Sequence, residues 1–208
     1  MDTMQLYRRA QDEFDAALAA VRPDQWDAPS ACAEWTVRDV AGHAIWGQRQ
    51  MRAWATGADY TDRRGAPGAP HPEELAGSDP VAAWRAAREE SVVTLTLDAL
   101  GRRTSITGIG EVPLAAVVTL LTADHVAHTW DVGHAIGLDV RLDPTLVTMA
   151  FDWARANIVR RPGFFGPELT PPAGSDEQTR MLAFMGRAAW QRVPAGVSSP
   201  SAGSTGSG

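Results

Sequence analysis

Lysine does not occur in this sequence: all 19 basic residues of the 208-residue chain are arginine. The chain therefore offers no Schiff-base lysine and no lysine for a phosphate-binding P-loop. Together with the many alanines and glycines, the exclusive use of arginine indicates a GC-rich coding genome. The arginines do not make the chain basic, because the net charge is −6 and no long run carries one sign. Nucleic acid is therefore not an expected partner.

Cysteine and long apolar runs are also scarce. Cys32 is the single cysteine, which excludes an internal disulfide. No apolar run approaches the roughly 18 residues that a membrane-spanning helix needs. The N-terminal segment has neither the apolar core nor the small-residue cleavage site of a signal peptide. We therefore expect a cytoplasmic protein with no membrane partner.

Helical periodicity dominates the apolar residues that are present. The chain is 44% hydrophobic and 21% charged, which is ordinary for a globular protein, and its length suits one well-buried domain. No stretch alternates convincingly enough to predict a strand, although residues 104–107 could be extended. The pattern predicts an all-α helix bundle with a short C-terminal helical extension. The predicted helices cover residues 3–21, 37–56, 80–100, 113–136 and 144–159, with a short helix after Ser175.

Local signals mark helix starts and two irregular segments. Thr36 and Asp39 form a capping-box pattern, so the second helix is expected to begin near Val37. Residues 58–78 are rich in glycine and proline and predict a long loop, which either covers a pocket or is a mobile surface connection. Residues 193–208 are low-complexity and are expected to form a disordered tail after a single domain of residues 1–192.

The fourth predicted helix carries titratable side chains inside its apolar pattern. Asp124 and His128 are one turn apart, so both project from one face and could bind one metal ion with a ligand from another helix. The best third ligand is His43 in the second predicted helix. On helix geometry alone, His125 competes with Asp124, because it too lies one turn from His128.

Two segments resemble a known family. Trp35–His43 and Asp124–Asp131 are similar to the two metal-ligand helices of the DinB-like superfamily, and most similar to its branch with the N-terminal domain of mycothiol-dependent maleylpyruvate isomerase. Three further segments share this resemblance, which extends over roughly residues 3–190: Ser30–Trp35, Phe164–Glu168 and Met181–Arg187.

The resemblance implies a DinB-like four-helix bundle of up-down-down-up connectivity. It also implies His43, Asp124 and His128 as ligands of a divalent metal ion. Relatives often carry glutamate in place of Asp124, and the shorter arm could change the geometry or the metal preference. Two imidazoles and a carboxylate suit Zn²⁺ best, with Ni²⁺, Fe²⁺ or Mn²⁺ as alternatives, and three protein ligands are typical of catalytic sites.

Several neighbouring side chains have two interpretations each. His125 is a pocket proton donor in one and a residue facing the adjoining helix in the other. Asp131 fixes an imidazole tautomer or pairs with a surface arginine. Trp46 forms a wall of the cofactor pocket or is structural. Cys32 is a nucleophile or a packed side chain, while His134 is expected to be peripheral.

Three functional hypotheses remain open, besides that of a helix bundle whose ligand cluster is purely structural. The resemblance favours a metal-dependent enzyme that uses the thiol of mycothiol for transfer or isomerisation of a small molecule. The second hypothesis is a thiol-independent hydrolase, cyclase or isomerase of a biosynthetic pathway. The third is a non-catalytic protein that binds a metal or a small ligand. A monomer and a homodimer are both compatible with the sequence, and no residue identifies the substrate.

Overall fold

The protein is described here by a computed structural model covering residues 1–32, 34–106, 110–160 and 164–191. These residues form seven α-helices and a two-stranded sheet, which confirms the predicted helical fold class. Short 3-10 helices lie at Pro23–Gln25 and Pro72–Leu75. The other elements are α1 (Thr3–Ala19), α2 (Val37–Thr56), α3 (Pro80–Val92), α4 (Leu97–Gly101), β1 (Arg103–Ile106), β2 (Gly110–Pro113), α5 (Leu114–Ala135), α6 (Pro144–Asn157) and α7 (Glu177–Phe184).

Helix α5 lies at the centre of the packing. It contacts α1, α2 and α6, while α2 also packs on α3 and α6 also packs on α7. Most residues of α5 are buried, and its apolar side chains are distributed all around it, as expected of a helix enclosed by others. The polar side chains of α5 therefore point into the protein, where each one needs a partner.

The start of α2 confirms the predicted capping box. The Thr36 hydroxyl oxygen accepts from the backbone N–H of Asp39 at 3.2 Å, and Asp39 Oδ2 accepts from the backbone N–H of Thr36 at 2.9 Å. The other carboxylate oxygen, Oδ1, accepts from the backbone N–H of Glu73 at 3.1 Å. Asp39 thus caps α2 and also binds the segment that follows the helix.

The predicted extent of the third helix is wrong, and two short strands follow it. The third helix ends at Val92, and a separate short helix, α4, begins after Thr96, whose hydroxyl caps it through the N–H of Ala99. The intervening residues include β-branched side chains that disfavour a continuous helix. Residues 103–106 and 110–113 form an antiparallel pair, so the extended alternative for this segment is the one observed, although no strand was predicted. Strands of four residues with few apolar positions show too little alternation to be recognised in sequence.

The long loop at residues 58–78 lies against α2. A Cβ at Gly42 would be 1.8 Å from the carbonyl oxygen of Pro72, so only glycine permits this approach. Leu75 and Ala76 are buried in an apolar cluster that includes residues of α2. These contacts favour a docked segment over a free surface connection.

Two further expectations concern the chain ends and membranes. The predicted disordered tail, residues 193–208, lies outside the described residues. Among the residues that the structure describes, no helix is both long and apolar enough to cross a membrane.

Candidate metal centre

Helices α2 and α5 bring the three predicted ligands together. His43, Asp124 and His128 each offer one ligand atom, and these atoms lie within 4.8 Å of one another. Asp124 Oδ2 is 3.6 Å from His43 Nε2, and Asp124 Oδ1 is 3.4 Å from His128 Nε2. Two donors at about 2.1 Å from one tetrahedral ion are about 3.4 Å apart. The observed spacing therefore fits a single divalent ion held by these three side chains.

Both imidazoles are oriented through their other ring nitrogen. His43 Nδ1 lies 2.7 Å from the carbonyl oxygen of Gly65, and His128 Nδ1 lies 2.9 Å from Asp131 Oδ2. Carbonyl and carboxylate oxygens only accept, so each Nδ1 carries the proton and donates it. In the neutral rings the Nε2 lone pairs are then available toward Asp124, an arrangement typical of metal-ligating histidines.

In the metal-free site, the carboxylates of Asp124 and Asp131 favour the protonated form of His128, which lies between them. Burial raises the pKa of Asp124, but His128 and His43 outweigh this effect and hold the pKa well below its usual range. Burial lowers the pKa of His128, while Asp124 and Asp131 raise it, and the net pKa lies well above its usual range. A divalent ion would have to displace the proton of His128, so metal binding should release protons.

Asp131 contacts both an imidazole and an arginine, the two partners that were predicted as alternatives. Besides accepting from His128, its carboxylate binds Arg187, with Nε 3.1 Å from Oδ1 and Nη2 2.7 Å from Oδ2. The arginine is buried, not on the surface, and Asp131 is fully buried. Burial raises the pKa of Asp131, but the guanidinium and His128 outweigh it and lower the pKa to about 2.

Two tryptophans flank His43. The ring of Trp46 stacks beside it at 6.2 Å between centroids, and the ring of Trp35 lies at 4.9 Å. Each indole N–H donates to the long loop, Trp46 to the Asp62 carbonyl at 2.8 Å and Trp35 to the Ala69 carbonyl at 3.0 Å. The walls of the site therefore also hold the loop in place, and contact of Trp46 with a cofactor stays a prediction.

His125 lies in the protein core. Its ring is surrounded by Tyr7, Phe14 and Trp84, and only 1% of the residue is exposed. Its Nε2 lies 3.2 Å from Gln48 Nε2, and its Nδ1 contacts the carbonyl of Leu121. Burial lowers the pKa of the ring to about 4.

The position of His125 argues against its interpretation as a proton donor that lines the pocket. Both ring nitrogens are engaged within the protein, and the residue belongs to neither group of potential ligand atoms in the described part of the chain. Of the two interpretations of His125, the geometry therefore favours a core residue that faces the adjoining helices. His134 stacks on Trp130 and is likewise outside these groups, as expected of a peripheral residue.

Cys32 lies on the far side of His128. Its Sγ is 3.5 Å from Arg187 Nη2, and it forms with His128 and Asp131 a second group of ligand atoms within 4.8 Å. Both oxygens of Asp131 are already bound by the guanidinium. This second group is therefore poorly suited to a metal ion.

No role in the site was predictable from the sequence for Arg187, Gly65 or Trp35. Arg187 is 56 residues from Asp131, and Gly65 is 22 residues from His43. Met181–Arg187 contributed to the family resemblance, but nothing in its spacing shows that its last residue reaches α5. For Gly65, no local pattern distinguishes it from the other glycines of the loop.

The chain is similar to known proteins over most of its length. The family described as the mycothiol maleylpyruvate isomerase N-terminal domain matches residues 7–133, a range with all three proposed ligands. Two uncharacterised proteins of Mycobacterium tuberculosis, from strains CDC 1551 / Oshkosh and H37Rv, are each 33% identical over 191 residues, covering 90% of this chain and 98% of theirs.

A solved structure is also similar. It is the crystal structure of a histidine-to-alanine mutant of the mycothiol-dependent maleylpyruvate isomerase, with a TM-score of 0.45 and 25% sequence identity over 63% of this chain. The present chain covers 59% of that protein. The extent of the family match and of the mycobacterial relatives decides the classification: the chain belongs to the family of the mycothiol maleylpyruvate isomerase N-terminal domain.

Proposed function

We propose that this protein binds one divalent metal ion through His43, Asp124 and His128 and uses it in mycothiol-dependent transfer or isomerisation of a small molecule. The observation that carries the proposal is the orientation of the two imidazoles. Each Nδ1 is satisfied inside the protein, so both Nε2 atoms converge on the same carboxylate. Family membership supports the link to mycothiol.

The donor set suits the chemistry. Two neutral imidazoles and one carboxylate favour Zn²⁺, with Ni²⁺, Fe²⁺ or Mn²⁺ as alternatives. A divalent ion bound there supplies a Lewis acid that favours the deprotonated form of a thiol. Gly65 and Asp131 restrict rotation of the two rings, which keeps both donors aligned before any ion binds.

The surroundings of the ligands indicate where a small molecule would approach. The Asp124 side chain is 20% exposed, against 10% for His43 and 5% for His128. Trp35 and Trp46 cover His43 and keep water from that side. A thiol would therefore reach the centre beside Asp124.

Metal loading of five proteins tests the ligand set. Wild type, His43→Ala, Asp124→Ala, His128→Ala and His125→Ala would each be stripped, incubated with Zn²⁺ or Ni²⁺ and subjected to elemental analysis. We expect one ion per chain in wild type and in His125→Ala, and none in the two variants that remove an imidazole ligand. Loss of metal in His125→Ala together with its retention in Asp124→Ala would refute the assignment.

Thiol dependence is tested on the loaded protein. Mycothiol, but not glutathione, should raise the melting temperature of the Zn²⁺-loaded wild type, because a ligand that binds the folded state stabilises it. The shift should vanish in His43→Ala. If mycothiol leaves the melting temperature of the metal-loaded protein unchanged and the protein still converts a substrate, the thiol-independent hypothesis is supported. If the protein binds a small ligand tightly without converting it, the non-catalytic hypothesis is supported.

A further inference from the structure

The chain reverses direction directly after α7. Gly186 has a φ of +87°, in the left-handed region that glycine adopts readily. The backbone N–H of Arg187 donates to the carbonyl of Leu182 at 2.8 Å, and that of Gly186 donates to Ala183 at 2.9 Å. Such a turn closes a helix and redirects the chain. The next side chain, Arg187, consequently enters the protein and is only 7% exposed.

The guanidinium of Arg187 binds the carboxylate of Asp131 in a bidentate manner. Its Nε and Nη2 donate to different oxygens of the carboxylate, at 3.1 and 2.7 Å, and its Nη1 donates to the carbonyl of Met185 at 2.9 Å. A planar guanidinium that binds both oxygens fixes the plane of a carboxylate, which a lysine ammonium cannot do. The orientation of Asp131 is therefore determined by a residue of the C-terminal extension.

One oxygen atom of Asp131 links Arg187 to the metal ligand His128. Asp131 Oδ2 accepts from Arg187 Nη2 and also from His128 Nδ1 at 2.9 Å. Without the guanidinium, the buried carboxylate would lose its countercharge and its fixed plane. The ring of His128 would then lose the acceptor that keeps its proton at Nδ1 and its Nε2 lone pair toward Asp124.

We propose that Arg187 is a positioning residue for the metal centre, acting through Asp131 on the ring of His128. The proposal rests on the proposed function, because it assumes that His128 is a metal ligand. The family match ends at residue 133. The C-terminal extension would thus complete a site whose ligands all lie within the family domain.

A purely structural role for Arg187 is the alternative, and Arg160 provides the matched control. Arg160 also holds the C-terminal extension: its guanidinium donates to the carbonyls of Gly166 at 2.7 Å and Phe184 at 2.8 Å, and lies 4.8 Å from the Phe184 ring centroid. These contacts do not involve Asp131 or His128. Arg160→Met should loosen the extension without disturbing the chain of contacts to the metal centre.

Zn²⁺ affinity, measured by competition with a chelator, is the first readout. We expect Arg187→Met to weaken Zn²⁺ binding about ten- to a hundredfold, as loss of an outer hydrogen-bond partner typically does. The Zn²⁺ affinity of Arg187→Lys should lie between those of Arg187→Met and wild type, because lysine retains the charge but cannot make the bidentate contact. Arg160→Met should stay within about twofold of wild type. Urea unfolding of each metal-free variant checks that the comparison is made on folded protein.

A double-mutant cycle tests whether Arg187 acts through Asp131. In the Asp131→Asn background, Arg187→Met should cause no further loss of Zn²⁺ affinity. The amide retains the shape of the side chain, and the double variant removes both charges of the buried Asp131–Arg187 pair, so it should fold even if Arg187→Met alone does not. Additive losses in affinity would show that Arg187 acts by another route and would overturn the proposal.

Hydrogen exchange of the ring proton gives a readout without metal. In the metal-free wild type, the Nδ1 proton of His128 should exchange slowly in NMR spectra, and Arg187→Lys should speed up this exchange while Arg160→Met should not. Equal effects of Arg187→Lys and Arg160→Met on the exchange rate of this proton or on Zn²⁺ affinity would overturn the proposal. If the wild type bound no metal, the proposed function would fail, and this measurement would still decide whether Arg187 positions the ring.

Discussion

Two glycines in the interior of α2 provide a test of how the long loop is held. A Cβ at Gly42 would lie 1.8 Å from the carbonyl oxygen of Pro72 and 2.4 Å from its carbon. A Cβ at Gly47 would meet only Leu121 Cδ2, at 3.6 Å, an ordinary contact. Gly42→Ala should therefore displace the loop from α2, whereas Gly47→Ala should leave the structure unchanged.

The two substitutions should change stability in opposite directions. Each replaces a helical glycine by alanine, which favours the helix by about 1 kcal/mol. At Gly42 this gain is outweighed, because moving the loop exposes Leu75, now 6% exposed, at a cost of about 1.5–3 kcal/mol. It also breaks the bond from the Glu73 N–H to Asp39 Oδ1, at a cost of about 1.5–3 kcal/mol. The net destabilisation expected for Gly42→Ala is about 2–5 kcal/mol.

Urea unfolding of the metal-free proteins measures this difference. Gly47→Ala should be as stable as wild type or up to about 1 kcal/mol more stable. Gly42→Ala should also bind Zn²⁺ more weakly, because the same loop carries the Gly65 carbonyl that orients His43. Equal stability of the two variants would show that the loop is not docked through this contact and would refute the reasoning.

Two further predictions concern pH and the C-terminus. Burial lowers the pKa of His125 from 6.5 to about 4, so between these values the unfolded chain binds a proton that the folded protein excludes. Its contribution to stability is complete above pH 6.5 and is lost as the pH falls toward 4, so metal-free wild type should lose about 1.4 kcal/mol per pH unit relative to His125→Gln. Urea unfolding at pH 7 and pH 5 measures this change, and a difference independent of pH would contradict it. Truncation after residue 193 should change the melting temperature by no more than about 2 °C, because the removed residues have little to bury, and a drop near 10 °C would show that the tail is docked.

Features that depend on neighbouring residues were predictable from the sequence. The start of α2 follows from Thr36 and Asp39, and the starts of α3 and α6 follow from an aspartate with proline at the next position. The shared face of Asp124 and His128 follows from helical spacing alone. In each case the contact closes within one turn, so the rest of the chain has little influence on it.

Other features were hidden, some because their local sequence signal is weak and others because their contacts join distant segments. Strands β1 and β2 have little apolar alternation, so their pairing leaves no clear mark in the sequence. The break between α3 and α4 depends on hydroxyl bonds to the backbone that compete with a continuous helix. Docking of the long loop requires the closeness of Gly42 to Pro72, which only the folded chain creates.

The sequence by itself determined the helical fold class, most of the long helices, the family, and the pair Asp124 and His128 on one helical face. Only the tertiary structure decided how the neighbouring histidines are used. His125 could equally have been a ligand from its spacing, but packing against Tyr7 and Gln48 places it in the core. His43 instead meets Asp124, and Arg187 meets Asp131 across 56 residues. Helical period orients a side chain only relative to its own helix, whereas a metal centre depends on which helices and loops pack around it.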